Sequence, residues 1–450
     1  MKREVKSYDA FSQGEARGNV WKVRAAKNVE FLDGEARTGV GVAELRSLSG
    51  EKLKLYDVPS VDSVFTVQTQ ENGGVKRTHA LLTVQGDFYE WDEQAKRFEP
   101  MRIFGGRMKA VPVTSAVEEG EAQCVMLVGS GGVYMLGERQ MTVASVSKVL
   151  PTGCFALGRF FFVKSPFTLS YSTPYVPLDN ADSIEDGGNV RLPTAYGPIT
   201  GIAAMDEFVY IFYEYGISRM KVSGSARTFR VEPLHYAGGK IHGDTLGVCA
   251  ATEKKILFLA EDGLYALQNE CAKKVCKELD ITPLRGEYNC GVAVFDGKYF
   301  VSYLDIDGTR KAVVADAETG KGYFAFAAVG LSLFAGRAYC QSGGLIQGLT
   351  ACGGDLPDGE THTFETEDIC FGKQRKTLDA ITLLGEGNCS VCIRCEQGEW
   401  HGRLSLTQGV DRQMPRLRGK RFSFAFTLDK GSRLRGVQAE FQSLGGERTW

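Results

Sequence analysis

Short apolar runs recur along the whole chain and are separated by turns that contain glycine or aspartate. The clearest run is RFSFAFTL (421–428), in which Phe422, Phe424, Phe426 and Leu428 alternate with smaller or polar residues. An alternation with a period of two places these apolar side chains on one face of a β-strand. No long stretch has the 3.6-residue period of an amphipathic helix. The pattern therefore predicts an all-β protein.

One unit occurs repeatedly, a turn with Asp or Gly followed by a strand that carries an aromatic residue. Its copies are QGDFYEW (85–91), SGGVYML (130–136), MDEFVYIFYEYG (205–216), EDGLYAL (261–267), FDGKYFVSY (295–303) and AGRAYCQSG (335–343). They lie roughly 35–75 residues apart, and a propeller blade of four antiparallel strands takes about 40–50 residues. We therefore predict a six- to seven-bladed β-propeller within a first domain at residues 1–355, whose residues 1–20 form an N-terminal arm. Unrelated β-sandwich domains with similar hairpins are the alternative.

The stretch GRFFFVKSPFTLSYSTPYVP (158–177) combines aromatic residues with three prolines. Residues 158–164 are predicted to form a strand that is buried on both faces, with Phe160 and Phe161 pointing to opposite sides. Proline cannot donate to a β-ladder, so the prolines that follow predict a loop that contains Tyr171 and Tyr175. We expect the aromatic residues of this excursion to contact a neighbouring subunit rather than a substrate.

The pattern of apolar and polar residues changes after about residue 355, where CGGDLPDGETH (352–362) resembles a linker. We predict a small C-terminal β-sandwich-like domain at residues 356–450, in which RLRGVQAEFQSLGG (433–446) pairs with the strand at 421–428 as a hairpin. A local excess of Arg and Lys at 412–435 is compatible with contact to phosphates or to an acidic protein. A charged strand edge exposed to solvent is the simpler interpretation.

Composition narrows the class of protein without identifying it. The chain has 450 residues, a net charge of -2 and 43% hydrophobic residues, which fits a folded globular chain and excludes a globally basic nucleic-acid binder. The N-terminal residues show no apolar segment typical of a secretory signal, and no run is long enough to predict a membrane span. We therefore expect the protein to stay in the cytoplasm after synthesis, without a membrane partner.

Two groups of residues contain side chains of the types found in metal sites and in hydrolase active sites. In CSVCIRC the residues Cys389, Cys392 and Cys395 have metal-site spacing, but Val391 and Ile393 indicate a strand, on which a three-residue step alternates between faces. We interpret these cysteines as structural. The carboxylates in DNADSIEDGG (179–188) suggest glycoside hydrolysis as an alternative function, but a solvated acidic loop is the simpler interpretation. No catalytic residue, metal or cofactor is predicted.

Three stretches together resemble a known family. AAKNVEFLDGEARTGVG (25–41), the segment from 158–177 through GPITGIAAMDEFVYIFYEYGISRMKV (197–222), and GDTLGVCAATEKKILFLAEDGLYAL (243–267) are similar to β-propeller proteins in the tails of short-tailed bacteriophages, as is TFETEDICFGKQRKTLDAITL (363–383). In that family the proteins are nozzle subunits or hub subunits that stabilise the packaged DNA, and they are not enzymes.

The resemblance implies a non-enzymatic subunit of a phage or prophage tail, in a ring around the DNA exit channel. Its partners would be copies of itself and other tail or portal-adaptor proteins, and it would lie close to DNA in a way that does not depend on the DNA sequence. The subunit would assemble in the host cytoplasm and then belong to the virion tail. A carbohydrate-binding or carbohydrate-cleaving propeller and a cytoplasmic scaffolding propeller are the alternatives. The residues expected at interaction surfaces are Phe167, Tyr171, Tyr175, Arg416, Arg418, Lys420 and Arg421.

Overall fold

A computed structural model gives the fold of the chain. It describes residues 3–443 except 14–18, 72–73, 118–119, 137–140, 145–148, 180–186, 250–253, 285–289, 343, 352–353 and 407–410. The described residues form β-strands joined by turns, together with one short 3₁₀ helix, Ala226–Thr228. No helix among them has the length and apolar character needed to cross a membrane. The prediction of an all-β protein is confirmed.

Seven four-stranded antiparallel sheets form a seven-bladed β-propeller. The strands of blade 1 are Val61–Glu71, Gly74–Thr83, Asp87–Asp92 and Arg97–Ile103. Those of blade 2 are Met108–Val117, Gly120–Gly129, Gly132–Leu136 and Met141–Ala144. Those of blade 3 are Gly153–Ala156, Arg159–Ser165, Thr168–Tyr171 and Gly188–Arg191. Those of blades 4 and 5 are Ile199–Met205, Phe208–Tyr213, Ile217–Lys221 and Val231–Leu234; and Ile241–Cys249, Lys255–Ala260, Gly263–Gln268 and Cys271–Val275. Those of blade 6 are Gly291–Phe295, Lys298–Leu304, Arg310–Asp316 and Gly322–Ala325.

Blade 7 is the one blade whose strands are not consecutive in the sequence. It contains Val329–Phe334, Arg337–Ser342 and Leu345–Thr350, and its fourth strand is Gly41–Glu44, which precedes blade 1 in the chain. The two ends of the propeller sequence are therefore joined by β-pairing. Such pairing removes an open sheet edge, which would otherwise expose unpaired backbone groups.

The recurring turn is not at one position in the blades. In blades 1, 2 and 5 it joins the second and third strands, whereas in blades 4, 6 and 7 it joins the first and second strands. Both connections are tight hairpins, and both require residues that tolerate positive φ, such as Asp296 and Gly297 at +46° and +71°. The uneven spacing of the sequence repeat follows from this change of position and from blade 3, which lies between the copies at 130–136 and 205–216.

The strand predicted at residues 158–164 is present as Arg159–Ser165. Phe160, Phe161 and Phe162 have no exposed surface. Phe160 and Phe162 pack together with blade 2, and Phe161 packs on the opposite face with residues of blade 4. The prediction of a strand buried on both faces is thus confirmed.

The chain divides into two compact units with boundaries that differ from the predicted ones. A propeller unit comprises Ala43–Lys321 and Ala327–Leu349, and a sandwich unit comprises Met1–Val42, Gly322–Phe326 and Thr350–Trp450. By this division the sandwich unit includes the fourth strand of blade 6 and the first two residues of the fourth strand of blade 7. The predicted boundary at residues 355/356 therefore omitted the N-terminal contribution to the second unit. The predicted arm at residues 1–20 is wrong for Arg3–Tyr8, because this strand pairs along its whole length with Arg433–Ser443.

The sandwich unit contains two seven-stranded sheets around one hydrophobic core. The first consists of Arg412–Gln413, Lys376–Glu386, Arg433–Ser443, Glu35–Thr38 and Val29–Leu32, with Arg3–Tyr8 and Leu417–Gly419 at its sides. The second consists of Ala10–Ser12, Val20–Lys27, His362–Thr366, Arg421–Leu428, Asn388–Cys395 and Gly398–Ser405, with Ile369–Cys370 at its side.

The alternation in residues 421–428 is confirmed, since Phe422, Phe424, Phe426 and Leu428 are all buried in this core. The predicted hairpin with residues 433–446 is wrong. The turn at Asp429–Ser432 carries the chain from one sheet to the other, so that both apolar strand faces cover the same core. Two alternating strands on either side of a turn fit this arrangement as well as they fit a hairpin.

Candidate functional site

A cavity of about 380 Å³ lies where the first strands of the seven blades meet in the propeller unit. Every blade contributes at least one residue to its wall, and many of these residues are small or aliphatic. The polar side chains that decide its chemistry are Asp62, Arg107, Lys109, Cys154 and Asp244. Ligand sites of propellers commonly lie in the central channel, so this cavity is the candidate site that the fold itself provides.

Arg107 connects three blades within the cavity. Its Nε and Nη2 donate hydrogen bonds to Asp62 Oδ1 at 2.9 and 2.6 Å, and its Nη1 donates to Asp244 Oδ2. Asp62 belongs to blade 1, Arg107 precedes the first strand of blade 2, and Asp244 belongs to blade 5. The guanidinium therefore spans the channel and is matched by two carboxylates. All three side chains are mostly buried, which makes this a desolvated charge cluster.

A bulge in the first strand of blade 5 positions Asp244. The register with the neighbouring strand is interrupted between His242 and Gly247, which leaves four residues on one strand opposite a single residue on the other. Thr245 fixes this bulge, because its hydroxyl donates to the His242 carbonyl at 2.6 Å and accepts from the Leu259 amide at 2.8 Å. Bulges commonly redirect a side chain at a functional position.

The electrostatics of the cavity follow from burial and from these pairs. Burial raises the pKa of Asp62, although Arg107 opposes that shift. Burial alone would lower the pKa of Arg107, but Asp62 and Asp244 together raise it above its usual value. Burial also lowers the pKa of Lys109 and raises the pKa of the Cys154 thiol to about 12. Cys154 is therefore protonated near neutral pH and is a poor nucleophile.

The sequence indicates this cluster only in part. Arg107 and Lys109 alternate at the start of an inner strand, and this spacing is the local signal that places two cations on one side of a strand. The aspartates lie 45 positions before and 137 positions after Arg107. Only the closure of the propeller brings such distant positions together.

Blade 3 holds the aromatic residues that were expected at an interaction surface. Tyr171 ends the strand Thr168–Tyr171 and is only 5% exposed, with its ring 5.2 Å from that of Phe229. Its predicted position in a loop is therefore wrong, because Tyr171 pairs with Phe161 and Gly188 of the neighbouring strands. Pro166 lies in the turn before this strand, where no ladder donor is required, so pairing resumes after it. Phe167 is half-buried in the same turn, and its carbonyl accepts from the Leu192 amide at 2.9 Å.

Tyr175 does lie in a loop and is 40% exposed. Its backbone is fixed in the left-handed region at a φ of +58°. The Tyr175 amide donates to the Gly158 carbonyl at 2.6 Å, and the Tyr175 carbonyl accepts from the Ala116 amide at 2.7 Å. Leu157 precedes Gly158 in the sequence, Val176 follows Tyr175, and both side chains are exposed. We call Leu157, Tyr175 and Val176 the blade 3 apolar patch.

The basic residues near the C-terminus form no uniform positive surface. Arg421 is paired with Asp368, Arg412 with Glu440 and Lys430 with Asp355, whereas the Lys420 side chain is exposed. Arg418 is partly buried in the strand Leu417–Gly419, and Arg416 is exposed with a positive φ. Ion pairs inside the protein thus neutralise part of the predicted basic excess.

The cysteines of CSVCIRC lie on the strand Asn388–Cys395. Cys389 is fully buried between the two sheets, whereas Cys392 lies on the opposite face of the strand. Cys395 is half-buried, and its thiol donates to the Arg418 carbonyl at 3.5 Å. The expectation that a three-residue step separates Cys389 from Cys392 is confirmed.

The acidic stretch 179–188 contributes little to a described site. Asp182, Glu185 and Asp186 lie outside the described residues. Asp179 Oδ2 accepts a hydrogen bond from the Thr173 hydroxyl at 2.9 Å, and so it fixes the loop locally. The pair of acids required for glycoside hydrolysis is not assembled among the residues that the structure describes here.

Comparison with known proteins shows no family for this chain. No protein-family model matches the chain, and no curated protein matches it. The β-propeller domain of Cps50 (Swd1) from Myceliophteria thermophila is 12% identical, with a TM-score of 0.41 over 67% of this chain and 99% of that chain. YCF48 bound to D1 peptide is 11% identical, with a TM-score of 0.41 over 68% of this chain and 97% of that chain. U3-55K is 7% identical, with a TM-score of 0.36 over 64% and 83%.

Proposed function

We propose that this chain is a non-enzymatic structural subunit that assembles with other proteins, and that the assembly is the tail of a phage or prophage. The observation that carries the assembly role is the blade 3 apolar patch. Three neighbouring apolar residues, Leu157, Tyr175 and Val176, are 53%, 40% and 44% exposed on a backbone fixed by two hydrogen bonds. A fixed backbone reduces the conformational entropy that is lost when a surface binds a partner.

The chemistry of the central cavity also supports a role without catalysis. The Arg107 charge is matched by Asp62 and Asp244, and the Cys154 thiol is protonated near neutral pH. A group that must act as a nucleophile or general base needs a pKa near the working pH. Arg107 and Cys154 do not meet this condition, and the ion pairs of Arg107 with Asp62 and Asp244 join three blades.

The tail assignment rests on the sequence resemblance described above, and its components are copies of this chain and other tail or portal-adaptor proteins. Assembly in the host cytoplasm precedes incorporation into the virion tail. Proximity to DNA follows from such a position, and exposed Arg416 and Lys420 are available for non-specific phosphate contact. Tyr171, an aromatic residue of the same blade as the acidic stretch 179–188, is buried and does not offer its ring to a sugar, so the carbohydrate alternative loses support.

The decisive experiment separates tail assembly from cytoplasmic scaffolding. Phage particles would be purified from an induced culture of the source strain and analysed by mass spectrometry. We expect the wild-type chain in the particle fraction. A double variant, Tyr175→Ser with Val176→Ser, should remain folded but be depleted from particles.

The matched control is Tyr215→Ser, which removes another exposed tyrosine from blade 4. This variant should enter particles as the wild type does. Absence of the wild-type chain from particles, together with a stable cytoplasmic complex, would replace the tail proposal with the scaffolding alternative. Equal incorporation of the double variant would exclude the blade 3 apolar patch as the contact surface.

A further inference from the structure

The outer face of one hairpin in the sandwich unit brings together three different metal-binding side chains. The strands Asn388–Cys395 and Gly398–Ser405 pair in a register that places Cys392 opposite His401 and Arg394 opposite Glu399. In a strand, residues two apart share a face, so Glu399 and His401 lie side by side. Val391 and Ile393 point the other way, into the core. The hairpin therefore presents a thiol, an imidazole and a carboxylate to solvent together.

The distances between the donor atoms are close to those of a shared ion. Cys392 Sγ lies 4.0 Å from His401 Nε2, and His401 Nε2 lies 3.2 Å from Glu399 Oε1. All three donor atoms are within 4.8 Å of one another. A tetrahedral zinc ion, with bonds of about 2.3 Å to sulfur and about 2.0–2.2 Å to nitrogen and oxygen, separates its donors by about 3.3–3.6 Å. Small rotations of these three side chains are enough to reach that geometry.

Arg394 orients the carboxylate for this role. Its Nε lies 3.4 Å from Glu399 Oε2, whereas the other carboxylate oxygen, Oε1, faces His401. One oxygen is thus held by the guanidinium, and the second is directed toward the thiol and imidazole. Residues that hold a ligand from behind in this way commonly raise metal affinity.

We propose that Cys392, Glu399 and His401 bind a divalent transition-metal ion, and that the ion is zinc. Thiolate and imidazole donors together favour zinc over magnesium or calcium, which prefer oxygen donors only. Three protein donors leave one tetrahedral position for water or for a group from another protein. Binding converts the Cys392 thiol to a thiolate and releases its proton to solvent. This site is independent of the proposed tail function.

The strand geometry explains why the sequence spacing pointed to other partners. The C-x-x-C spacing drew attention to Cys389 and Cys395, but Cys389 is sealed in the core. Cys395 lies at the end of the strand and bonds to the Arg418 carbonyl. The actual neighbours of Cys392 come from the next strand, nine positions away at His401. A cross-strand pair of this kind becomes visible only once the register is known.

The experiment uses the full chain, treated with a chelator under reducing conditions and then dialysed. Zinc binding is measured by isothermal titration calorimetry, and cobalt(II) replaces zinc as an optical probe because a cobalt–thiolate bond gives a charge-transfer absorption. We expect about one zinc ion per chain and a cobalt–thiolate absorption. Cys392→Ser should abolish the absorption, and His401→Gln and Glu399→Gln should each weaken zinc binding at least about tenfold.

Cys370→Ser is the matched control, because Cys370 is an exposed cysteine of the same unit. This variant should bind zinc and cobalt as the wild type does. Loss of the cobalt absorption in Cys370→Ser with its retention in Cys392→Ser would overturn the proposal, and so would the absence of zinc binding in the wild type. Circular dichroism checks that each variant is folded, and Glu399→Gln, at an exposed position, tests the site even where Cys392→Ser is unstable.

Discussion

Arg107 and Asp244 form an ion pair across the centre of the propeller, between blade 2 and blade 5. Asp62 of blade 1 binds the other side of the same guanidinium. The three groups are separated by up to 182 positions in the sequence, since Asp62 precedes Arg107 by 45 and Asp244 follows it by 137. The pair is therefore a tertiary contact that reports directly on closure of the propeller.

We predict that Arg107→Met lowers the free energy of unfolding by about 3 kcal/mol, because it leaves two buried carboxylates without their cation. Urea denaturation of the full chain measures the loss. The triple variant Arg107→Met, Asp62→Asn, Asp244→Asn should recover part of the lost stability, since no uncompensated charge remains. Arg403→Gln removes an exposed partner of Asp429 and should have little effect. An equal loss in both single variants would contradict a special role for the central cluster.

The bulge that carries Asp244 depends on close contact between two inner strands. A Cβ atom on Gly243 would lie 1.8 Å from the Thr200 carbonyl oxygen, and that oxygen belongs to rigid backbone. We predict that Gly243→Ala destabilises the protein by about 1–3 kcal/mol through overpacking, measured by the same urea denaturation.

Gly348→Ala is the matched control for this change. Its added Cβ would meet Leu45 at 3.5 Å, an ordinary van der Waals distance, so the loss should be much smaller. Combining Gly243→Ala with Arg107→Met tests whether the bulge and the ion pair act together. Losses that are less than additive would show the coupling expected for neighbouring groups. A harmless Gly243→Ala would mean that blades 4 and 5 separate easily at this point.

Local patterns predicted the strands well and the partnerships between strands poorly. The aromatic strand at 158–164 and the alternation at 421–428 were both recognisable, because burial on two faces or on one face sets the period of side chains within a single segment. The C-terminal hairpin was wrong because alternation gives the buried face of a strand and not the sheet to which it belongs.

The difference between patterns within one segment and contacts between segments also explains which site residues the sequence predicts. The cavity cluster joins Asp62, Arg107 and Asp244, and nothing in their local sequences states that they meet. The loop predicted at Tyr171 is wrong because a proline does not end pairing for all the residues that follow it, and Pro166 occupies only a turn. The pairing of the chain ends is still harder to predict from the sequence, because the strand Arg3–Tyr8 pairs with the strand Arg433–Ser443. Only the folded structure reveals contacts of such sequence separation.

Acid should destabilise the protein in part through His362. This side chain is 5% exposed, and its Nδ1 donates to the Asn28 carbonyl at 2.7 Å. Burial lowers the pKa of His362 below its ordinary value, with an opposing contribution from that hydrogen bond. The unfolded chain therefore takes up a proton near pH 6.5, at a pH where the folded protein does not, and stability falls as the pH decreases from 7 toward 5.

Unfolding free energies at several pH values between 5 and 8 test this prediction. His362→Gln should show a shallower decline on acidification than the wild type, whatever its stability at pH 8. Thr366→Val, a change at another buried position of the same strand, does not remove a titrating group and should keep the wild-type slope. Equal slopes in all three proteins would assign the acid sensitivity to other groups.

The rate at which each cysteine is alkylated should depend on whether its thiol is exposed or buried. Cys370 is exposed, whereas Cys389 and Cys340 have no exposed surface, and burial raises the pKa of each of these two thiols to about 12. Alkylation requires an accessible thiolate. Brief treatment of the native, chelator-treated chain with iodoacetamide should therefore modify Cys370 first and leave Cys389 and Cys340 unmodified, as peptide mass spectrometry would show. Denaturation in urea should make all three equally reactive. Early modification of Cys389 in the native chain would contradict its position between the two sheets and, with it, the register that places Cys392 beside His401.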